Sequence, residues 1–372
     1  MPPATTPTKS YIPFIVLGLV VLIGAPLAYM NWSQSENAPP QTVTLSGREI
    51  GERLVQFIEK AQRSDGSFIV AYKCEMLGTP CAPLENPRVW PSGFAIIALT
   101  LGGREESADK AMAYSLSSCK SNKTCNFNAI DFYYEKTKDQ RYRAALDVAG
   151  KDALAIASSA KTLEDYVNLS QYTIPEKLAR MYELSKDVRY QNALKKMGDA
   201  ILKDVDFSKG REVYRQGEYG EYKDMAILAS KGLPYVYKGT GDAKYEAAYM
   251  SFFETSDIVQ FSPSLLNAQY LVGPVLASAE ALSYLSREET DPAKAAKYEN
   301  DARLMLQAVL AAHFDGSERP LWDGGNSILI RSDATPGRDE DPNSRYKATN
   351  ENGRIAQLLL VSFGDTAFNL PM

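Results

Sequence analysis

Apolar residues recur along this chain with the spacing of amphipathic helices from about Ser46 onward. Runs such as PEKLARMYELS and RYQNALKKMGDAILKDV place their apolar side chains three or four positions apart, as one face of a helix requires. The runs come in pairs that only a few polar residues separate, which is typical of helical hairpins. The pattern therefore predicts an all-α domain.

A nine-residue scheme marks the turn of three of these hairpins. It reads YEKTKDQRY from Tyr134, YELSKDVRY from Tyr182 and YKGTGDAKY from Tyr237. We expect its Thr or Ser to end the first helix, the next Lys or Gly to form the turn, and the Asp to cap the second helix. The tyrosines at its two ends are expected to pack across the turn.

Weaker hairpins flank these three, and a single helix precedes and follows the set, so the sequence predicts about twelve helices. Such helices can stack into an open solenoid or close into a double ring of six inner and six outer helices. A solenoid needs terminal repeats with a polar outer face. The first and last helices lack that face, so we favour the closed ring.

The N-terminus carries an uncharged segment, YIPFIVLGLVVLIGAPLAYM, at residues 11–30. About twenty apolar residues are needed to cross a bilayer, so we expect a membrane anchor, with a cleaved signal peptide as the alternative. Lys9 precedes the span, and the positive-inside rule then places residues 1–10 in the cytoplasm and the rest outside it. Residues 31–45 have the composition of a linker, which leaves 46–372 as the folded domain.

The four cysteines form two local pairs, Cys74 with Cys81 and Cys119 with Cys125. Two disulfides fit an oxidising compartment, so we expect the domain to be periplasmic or extracellular. A zinc site is the competing interpretation, but the spacings are not C-x-x-C and the chain has a single histidine, His313, in a position that suits the end of a helix. We expect neither a metal nor another cofactor.

The composition narrows the classes of partner. With 45% hydrophobic and 23% charged residues, the chain can bury a large core. Its formal net charge of -5 leaves no basic surplus to neutralise phosphates, so nucleic acid is not expected as a partner.

The YKGTGDAKY turn resembles the turns of (α/α)6 toroid enzymes of the six-hairpin glycosidase kind, which have sugar epimerase relatives. RSDGSFIVAYK, ahead of NPRVWPSGFAIIAL, is similar to a glycine-phenylalanine-x-tyrosine segment that opens such domains. The resemblance covers most of residues 48–372, and it implies a toroid that acts on carbohydrate as a hydrolase, lyase or epimerase, in that order. DGSF also resembles the terpenoid cyclase toroids, but their D-x-D-D acid is missing here.

In a closed ring, the loops that join successive hairpins meet over the N-terminal ends of the inner helices, where we expect the site. Glycosidic cleavage needs two carboxylates, and the candidates are Glu221 and Asp131, followed by Glu218 and Asp323. Aromatic, amide and charged residues of the same segments are expected to bind substrate: Tyr72, Arg88, Trp90, Tyr172, Arg215, Tyr222, Asn267, Gln269, Tyr270, Trp322, Asn350 and Glu351. Glu176 and Arg354 also lie at such helix starts.

Other chemistry remains open. For β-elimination from a uronic acid, Tyr172 or Tyr222 is the candidate base, and Arg88 or Arg215 the group that holds the sugar carboxylate. The hypothesis that the sequence favours is a membrane-anchored, extracytoplasmic protein that cleaves or modifies an oligosaccharide or polysaccharide. The alternative is a non-catalytic glycan-binding or assembly subunit of an envelope complex, with other envelope proteins as partners.

Overall fold

The computed structural model describes residues 42–69, 71–74, 82–83, 92–120, 125–255, 272–313 and 345–371. The fold given below is that of the compact unit Val43–Leu370. None of its described helices is both long and apolar enough to cross a bilayer. The predicted anchor at residues 11–30 lies outside the described part of the chain.

Helices make up most of the described residues. In chain order they are α1 Gly47–Lys60, α2 Gly93–Leu101, α3 Glu105–Ser118, α4 Phe127–Thr137, α5 Gln140–Ser159, α6 Leu163–Gln171, α7 Ile174–Ser185, α8 Val188–Asp204, a 3-10 turn Phe207–Lys209, α9 Gly210–Arg215, α10 Tyr219–Ile227, a π turn Leu228–Gly232, α11 Leu233–Thr240, α12 Ala243–Thr255, α13 Val272–Glu288, α14 Pro292–His313 and α15 Thr349–Ser362. His313 ends α14, as the sequence predicted.

Twelve of these helices form two concentric layers. The inner layer is α2, α4, α7, α11, α13 and α15, and the outer layer is α1, α3, α5, α8, α12 and α14. Each of the first five inner helices is followed by an outer one through a short turn, so these turns collect on one side of the ring. The N-terminal ends of the inner helices lie on the other side. The predicted all-α toroid is confirmed.

The ring closes where the last helix meets the first two. Helix α15 packs against both α1 and α2. At its crossing with α2, a Cβ on Gly353 would lie 2.5 Å from the backbone nitrogen of Ala95, so the two helices are in backbone contact. The strand that precedes α1 also pairs with the strand that follows α15, and Thr44 Oγ1 donates to Asn369 Oδ1 at 2.8 Å. This closure excludes the open solenoid.

The repeated nonapeptide is the turn between an inner and an outer helix. In the first copy, the Thr137 hydroxyl donates to the Tyr133 carbonyl at 2.7 Å and accepts from the Asp139 backbone N–H at 3.2 Å. Lys138 adopts a left-handed conformation with φ 57°, and Asp139 caps α5 through the Arg141 backbone N–H at 2.8 Å. The other two copies share this geometry, with Ser185, Lys186 and Asp187, and with Thr240, Gly241 and Asp242.

The tyrosines of the nonapeptide pack into the surrounding helices. The ring of Tyr142 contacts the ring of Tyr133, with centroids 5.7 Å apart. Tyr245 is buried, and its hydroxyl donates to Asp199 Oδ1 at 2.7 Å on the preceding outer helix. Tyr142 and Tyr245 are thus structural, as the repeat predicted. The predicted packing of the two end tyrosines on each other stays a prediction, because the ring that Tyr142 contacts is Tyr133 and not Tyr134.

Five short strands accompany the helices, and the helical spacing of the sequence did not predict them. They are β1 Thr42–Ser46, β2 Ala71–Cys74, β3 Ala82–Pro83, β4 Arg345–Ala348 and β5 Ala367–Pro371. β2 pairs antiparallel with both β3 and β4, and β1 pairs with β5. β1 begins within residues 31–45, which the composition predicted to be a linker. The strand was missed because a few alternating residues next to prolines give only a weak strand signal.

The cysteine pairing is confirmed in one of two places. Cys119 and Cys125 form a disulfide that joins the end of α3 to the start of α4. Asn126, the next residue, accepts from the Ser92 backbone N–H at 2.7 Å and so holds the start of α2 as well. Cys74 lies in β2, but Cys81 is outside the described residues, and that second disulfide stays a prediction.

Ring closure can be tested at Gly353. We expect Gly353→Ala to lower the free energy of unfolding by about 1–3 kcal/mol, because its Cβ would meet backbone atoms that cannot rotate away. The control is Gly220→Ala in α10, where nothing lies within 4 Å of the added Cβ. That variant should change stability by no more than about 1 kcal/mol. Guanidinium denaturation measures both, and equal losses would contradict the closure argument.

Candidate functional site

All six inner helices contribute a polar or aromatic side chain to one connected set of contacts and electrostatic interactions. These side chains, which we call the axial cluster, are Phe94 on α2, Asp131 on α4, Glu176 and Arg180 on α7, Tyr235 on α11, Glu280 on α13 and Arg354 on α15. Ion pairs, a cation–π contact and mutual effects on pKa values connect them. The ring thus brings together residues that are far apart in the sequence.

One ion pair of the cluster joins α7 to α4. The Arg180 Nε donates to Asp131 Oδ1 at 2.7 Å, while Asp131 Oδ2 has no hydrogen bond to any described residue. Burial raises the pKa of Asp131, and the hydrogen bond and charge of Arg180 act in the opposite direction. Asp131 is therefore a carboxylate that one arginine holds in place, with one oxygen left open.

A second ion pair joins α15 to α13 and reaches α2. Arg354 is buried, and its Nε and Nη2 donate to the two carboxylate oxygens of Glu280. The guanidinium also lies over the Phe94 ring, 5.6 Å from its centroid. A planar guanidinium suits both contacts at once. Because both Glu280 oxygens are engaged, this pair is less open to a ligand than Asp131 is.

Glu176 lies in the first turn of α7, half-buried, and no described residue hydrogen-bonds its side chain. Burial raises the pKa of Glu176 to about 7; Lys177 and Lys231 oppose that rise, whereas the charges of Asp131 and Glu280 add to it. A buried carboxyl without a bonded cation favours its neutral form. Glu176 is thus a carboxylic acid that can give up a proton near neutral pH.

Tyr235 lies in the first turn of α11 and faces Glu176 and Glu280. Burial, followed by the charges of those two carboxyls, raises the pKa of Tyr235 well above its ordinary value. It therefore remains a phenol that can donate a hydrogen bond. Within the described part of the chain its hydroxyl has no hydrogen-bond partner, so it is open to a ligand.

Two of the predicted binding residues belong to the core. Tyr222 is 2% exposed and packs against Phe252, with ring centroids 5.5 Å apart. Tyr72 is 1% exposed and packs edge-on against Phe57 at 5.7 Å. These positions correct the sequence-based expectation, because neither ring presents a surface to a saccharide.

Among the described residues, no hydrogen bond or ion pair links the predicted acid Glu221 to Asp131. Glu221 is exposed on α10, which packs against α6, α9, α13 and the π turn. Glu218, Arg215 and Tyr172 are exposed as well. Asp131 lies on α4 and Glu176 on the inner helix α7, and the charge of Asp131 helps to raise the pKa of Glu176. The catalytic roles of Glu221, Asp131 and Glu218 stay predictions.

The remaining predicted residues divide into two groups. Asn350 and Glu351 lie in the first turn of α15, and the buried Asn350 Oδ1 has no hydrogen-bond partner among the described residues. Residues outside the described ranges stay predictions: Arg88, Trp90, Asn267, Gln269, Tyr270, Trp322 and Asp323. In the described ranges, no three His, Cys, Asp or Glu side chains meet as a metal site requires.

Arg180, Tyr235 and Glu280 were missed by the sequence analysis. For Glu280 the signal is a single charged residue within the apolar stretch PVLASAEALSYL, and for Arg180 it is a row of charged residues at helical spacing in PEKLARMYELS. Such a residue faces solvent in an ordinary surface helix. In an inner helix of a closed ring it faces the axis, so its meaning depends on the closure.

The raised pKa of Glu176 makes a prediction about stability. A carboxyl whose pKa is higher in the folded state binds its proton more tightly there. Its contribution to the free energy of unfolding therefore falls as pH rises from about 4.5 to 7. Relative to wild type, Glu176→Gln should gain up to about 3 kcal/mol in free energy of unfolding between pH 4.5 and pH 8. Urea denaturation of both proteins at the two pH values measures this, and a pH-independent difference would disprove it.

Comparison with solved structures supports the architecture. A mutant of unsaturated glucuronyl hydrolase from Streptococcus agalactiae has a TM-score of 0.53 and 13% identity, over 87% of this chain and 92% of that one. The same hydrolase without the mutation covers 87% and 93% at 13% identity, with a TM-score of 0.35. No family model and no curated protein sequence matches the chain. At this identity the first likeness shows the fold alone, which is an (α/α)6 toroid.

Proposed function

We propose that this protein is a carbohydrate-active enzyme that hydrolyses a glycosidic bond of an oligosaccharide or polysaccharide at the axial cluster. The observation that carries the proposal is Glu176, a half-buried acid with a pKa raised to about 7 and no described hydrogen-bond partner, on the same helix as the Arg180 that bonds the Asp131 carboxylate. Glycosidic cleavage needs this combination of a protonated and an ionised carboxyl. The toroid fold shared with a glucuronyl hydrolase adds support.

Each carboxyl has a role in the proposed reaction. Protonated Glu176 donates its proton to the glycosidic oxygen as the bond to the anomeric carbon breaks. Asp131, through its open Oδ2, either takes a proton from the attacking water or attacks the anomeric carbon itself. The stereochemistry of the product, followed by NMR, distinguishes the two roles, since inversion indicates a base and retention a nucleophile.

Other members of the axial cluster fit substrate binding. The open hydroxyl of Tyr235 can donate to a sugar oxygen, and Phe94 offers a ring beside the Arg354 guanidinium. Because the pKa of Tyr235 is raised, its phenolate form is disfavoured, and a lyase reaction with this tyrosine as the base is less well supported. Hydrolysis therefore remains ahead of elimination and epimerisation.

A panel of oligosaccharides tests the activity. It includes neutral fragments, saturated uronic-acid fragments and unsaturated glucuronyl disaccharides, the last because of the name of the structural neighbour. We expect turnover of at least one compound, with a rate that declines above about pH 7 as Glu176 loses its proton. Binding of a panel member without turnover would favour the non-catalytic glycan-binding subunit instead.

Variants at Glu176 test the assignment. Glu176→Gln should lower kcat about 10²- to 10⁴-fold, because the amide cannot donate the proton to the leaving oxygen. The matched control is Glu212→Gln, since Glu212 is an exposed carboxylate on α9. Full activity of Glu176→Gln would remove Glu176 from the mechanism, and a comparable loss in Glu221→Gln would restore the acid that the sequence predicted.

We also propose that residues 11–30 anchor the enzyme in a membrane and that its domain lies outside the cytoplasm. The uncharged segment and the disulfide between Cys119 and Cys125 support this location. Full-length protein should remain in the membrane fraction after alkaline carbonate extraction, whereas a chain that starts at Gln41, and so keeps β1, should not. Release of the full-length chain would contradict the anchor.

A further inference from the structure

Arg180 bonds more carboxylates than the proposed reaction requires. Its Nε bonds Asp131 at 2.7 Å, its Nη1 bonds Glu183 at 3.0 Å, and its Nη2 bonds Glu135. The Arg180 side chain is only 11% exposed. Its guanidinium is thus fixed on three sides, by two carboxylates of α4 and one of its own helix.

This ion-pair network extends from the axial cluster to the turn side of the ring. Glu135 lies one helical turn beyond Asp131 on α4, and Glu183 one turn beyond Arg180 on α7. The side chains of Glu135 and Glu183 are 47% and 46% exposed. Lys238 on α11 approaches Glu183 at 3.6 Å. Arg180 therefore links Asp131 to exposed carboxylates on the turn side of the ring.

We propose that Arg180 is a positioning residue for the reaction, which holds Asp131 at the ring axis in its ionised form and sets its acidity jointly with Glu135 and Glu183. This inference rests on the proposed role of Asp131 as the second carboxyl. Arg180 acts through Asp131 and does not itself need to contact the substrate.

Among the described residues, the charged groups that face Asp131 come from two helices. Arg180, Glu176 and Glu183 belong to α7, and Glu135 to α4 itself. Helix α2, which packs against α4, has no charged residue. Arg180 is the one cation of this set, so the charge that opposes the burial of Asp131 comes from it.

On the opposite face of α4, the charged groups of the neighbouring outer helices are engaged elsewhere. Asp109 of α3 accepts from the Tyr133 hydroxyl at 3.3 Å. Arg143 of α5 bonds Asp147 on the same helix at 3.1 Å. These groups therefore do not replace Arg180 as the partner of Asp131.

The network gives two variants opposite effects. Without Arg180, burial of Asp131 is no longer opposed, so its pKa should rise in Arg180→Gln. The charges of Glu135 and Glu183 raise the pKa of Asp131, so their joint replacement by glutamine should lower it. A purely structural arginine would not make the pH profile of the activity follow these shifts.

The test follows Asp131 directly. In the full-length chain, ¹³C carboxyl NMR, assigned by comparison with Asp131→Asn, should show its pKa rising by about 1–3 in Arg180→Gln. It should fall in the Glu135→Gln, Glu183→Gln double variant. For any oligosaccharide of the panel that is turned over, the acid limb of kcat/KM should move in the same two directions. Arg180→Lys, which keeps the charge, should show a smaller rise than Arg180→Gln.

Arg143→Gln is the matched control, because it removes an arginine–aspartate pair next to the ring without touching Asp131. This variant should leave the pKa of Asp131 unchanged. The proposal is overturned if the pKa of Asp131 is unchanged both in Arg180→Gln and in the double variant. It is also overturned if that pKa shifts while the acid limb of kcat/KM does not. Where Arg180→Gln does not fold, the double variant, whose changes are exposed, decides alone. Loss of the proposed function would show separately, as full activity of Glu176→Gln.

Discussion

The contact of α15 with α1 and α2 is the constraint on which the rest of this structure depends. Gly353 lets the last inner helix approach the first one until their backbones touch, and the pairing of β1 with β5 fixes the two ends of the domain beside each other. Without this contact the helix pairs would form an open stack. The N-terminal ends of the inner helices would then not surround a common axis, and Arg354 would not lie over Phe94.

Closure also determines the electrostatics of the axis. Each inner helix contacts an outer helix and neighbours in its own layer, which leaves one narrow stripe to face the centre. Charged side chains on these stripes lose water and need partners, because an unpaired buried charge is costly. Asp131 and Glu280 each have an arginine, whereas Glu176 has no bonded cation and keeps its proton more tightly. One acid of the site is thus distinguished from the others by the absence of a described hydrogen-bond partner.

The sequence predicted the helices and the capped turns because these depend on local spacing, and it favoured the closed ring because the first and last helices lack the polar outer face that a solenoid needs. The nonapeptide predicts its own turn because Asp139 and its two counterparts are helix caps. The disulfide between Cys119 and Cys125 was predictable because the two cysteines are close in the sequence. The site was harder to predict because its members come from six helices. Glu221 lies in a polar segment that resembles a site, but it is exposed on α10, and Tyr222 beside it is buried.

The rows of polar residues on the inner helices could locate the site from the sequence once the ring is known to be closed. Glu176, Arg180 and Glu183 lie at spacings of four and three on α7, and Asn350, Arg354 and Gln357 repeat those spacings on α15. In a surface helix such a row would be a solvated face. Here the outer layer covers the opposite face, so the row must line the axis. The polar stripe of an inner helix therefore locates the site better than the polar loops do, and on α7 it joins a proposed acid to the arginine that holds Asp131.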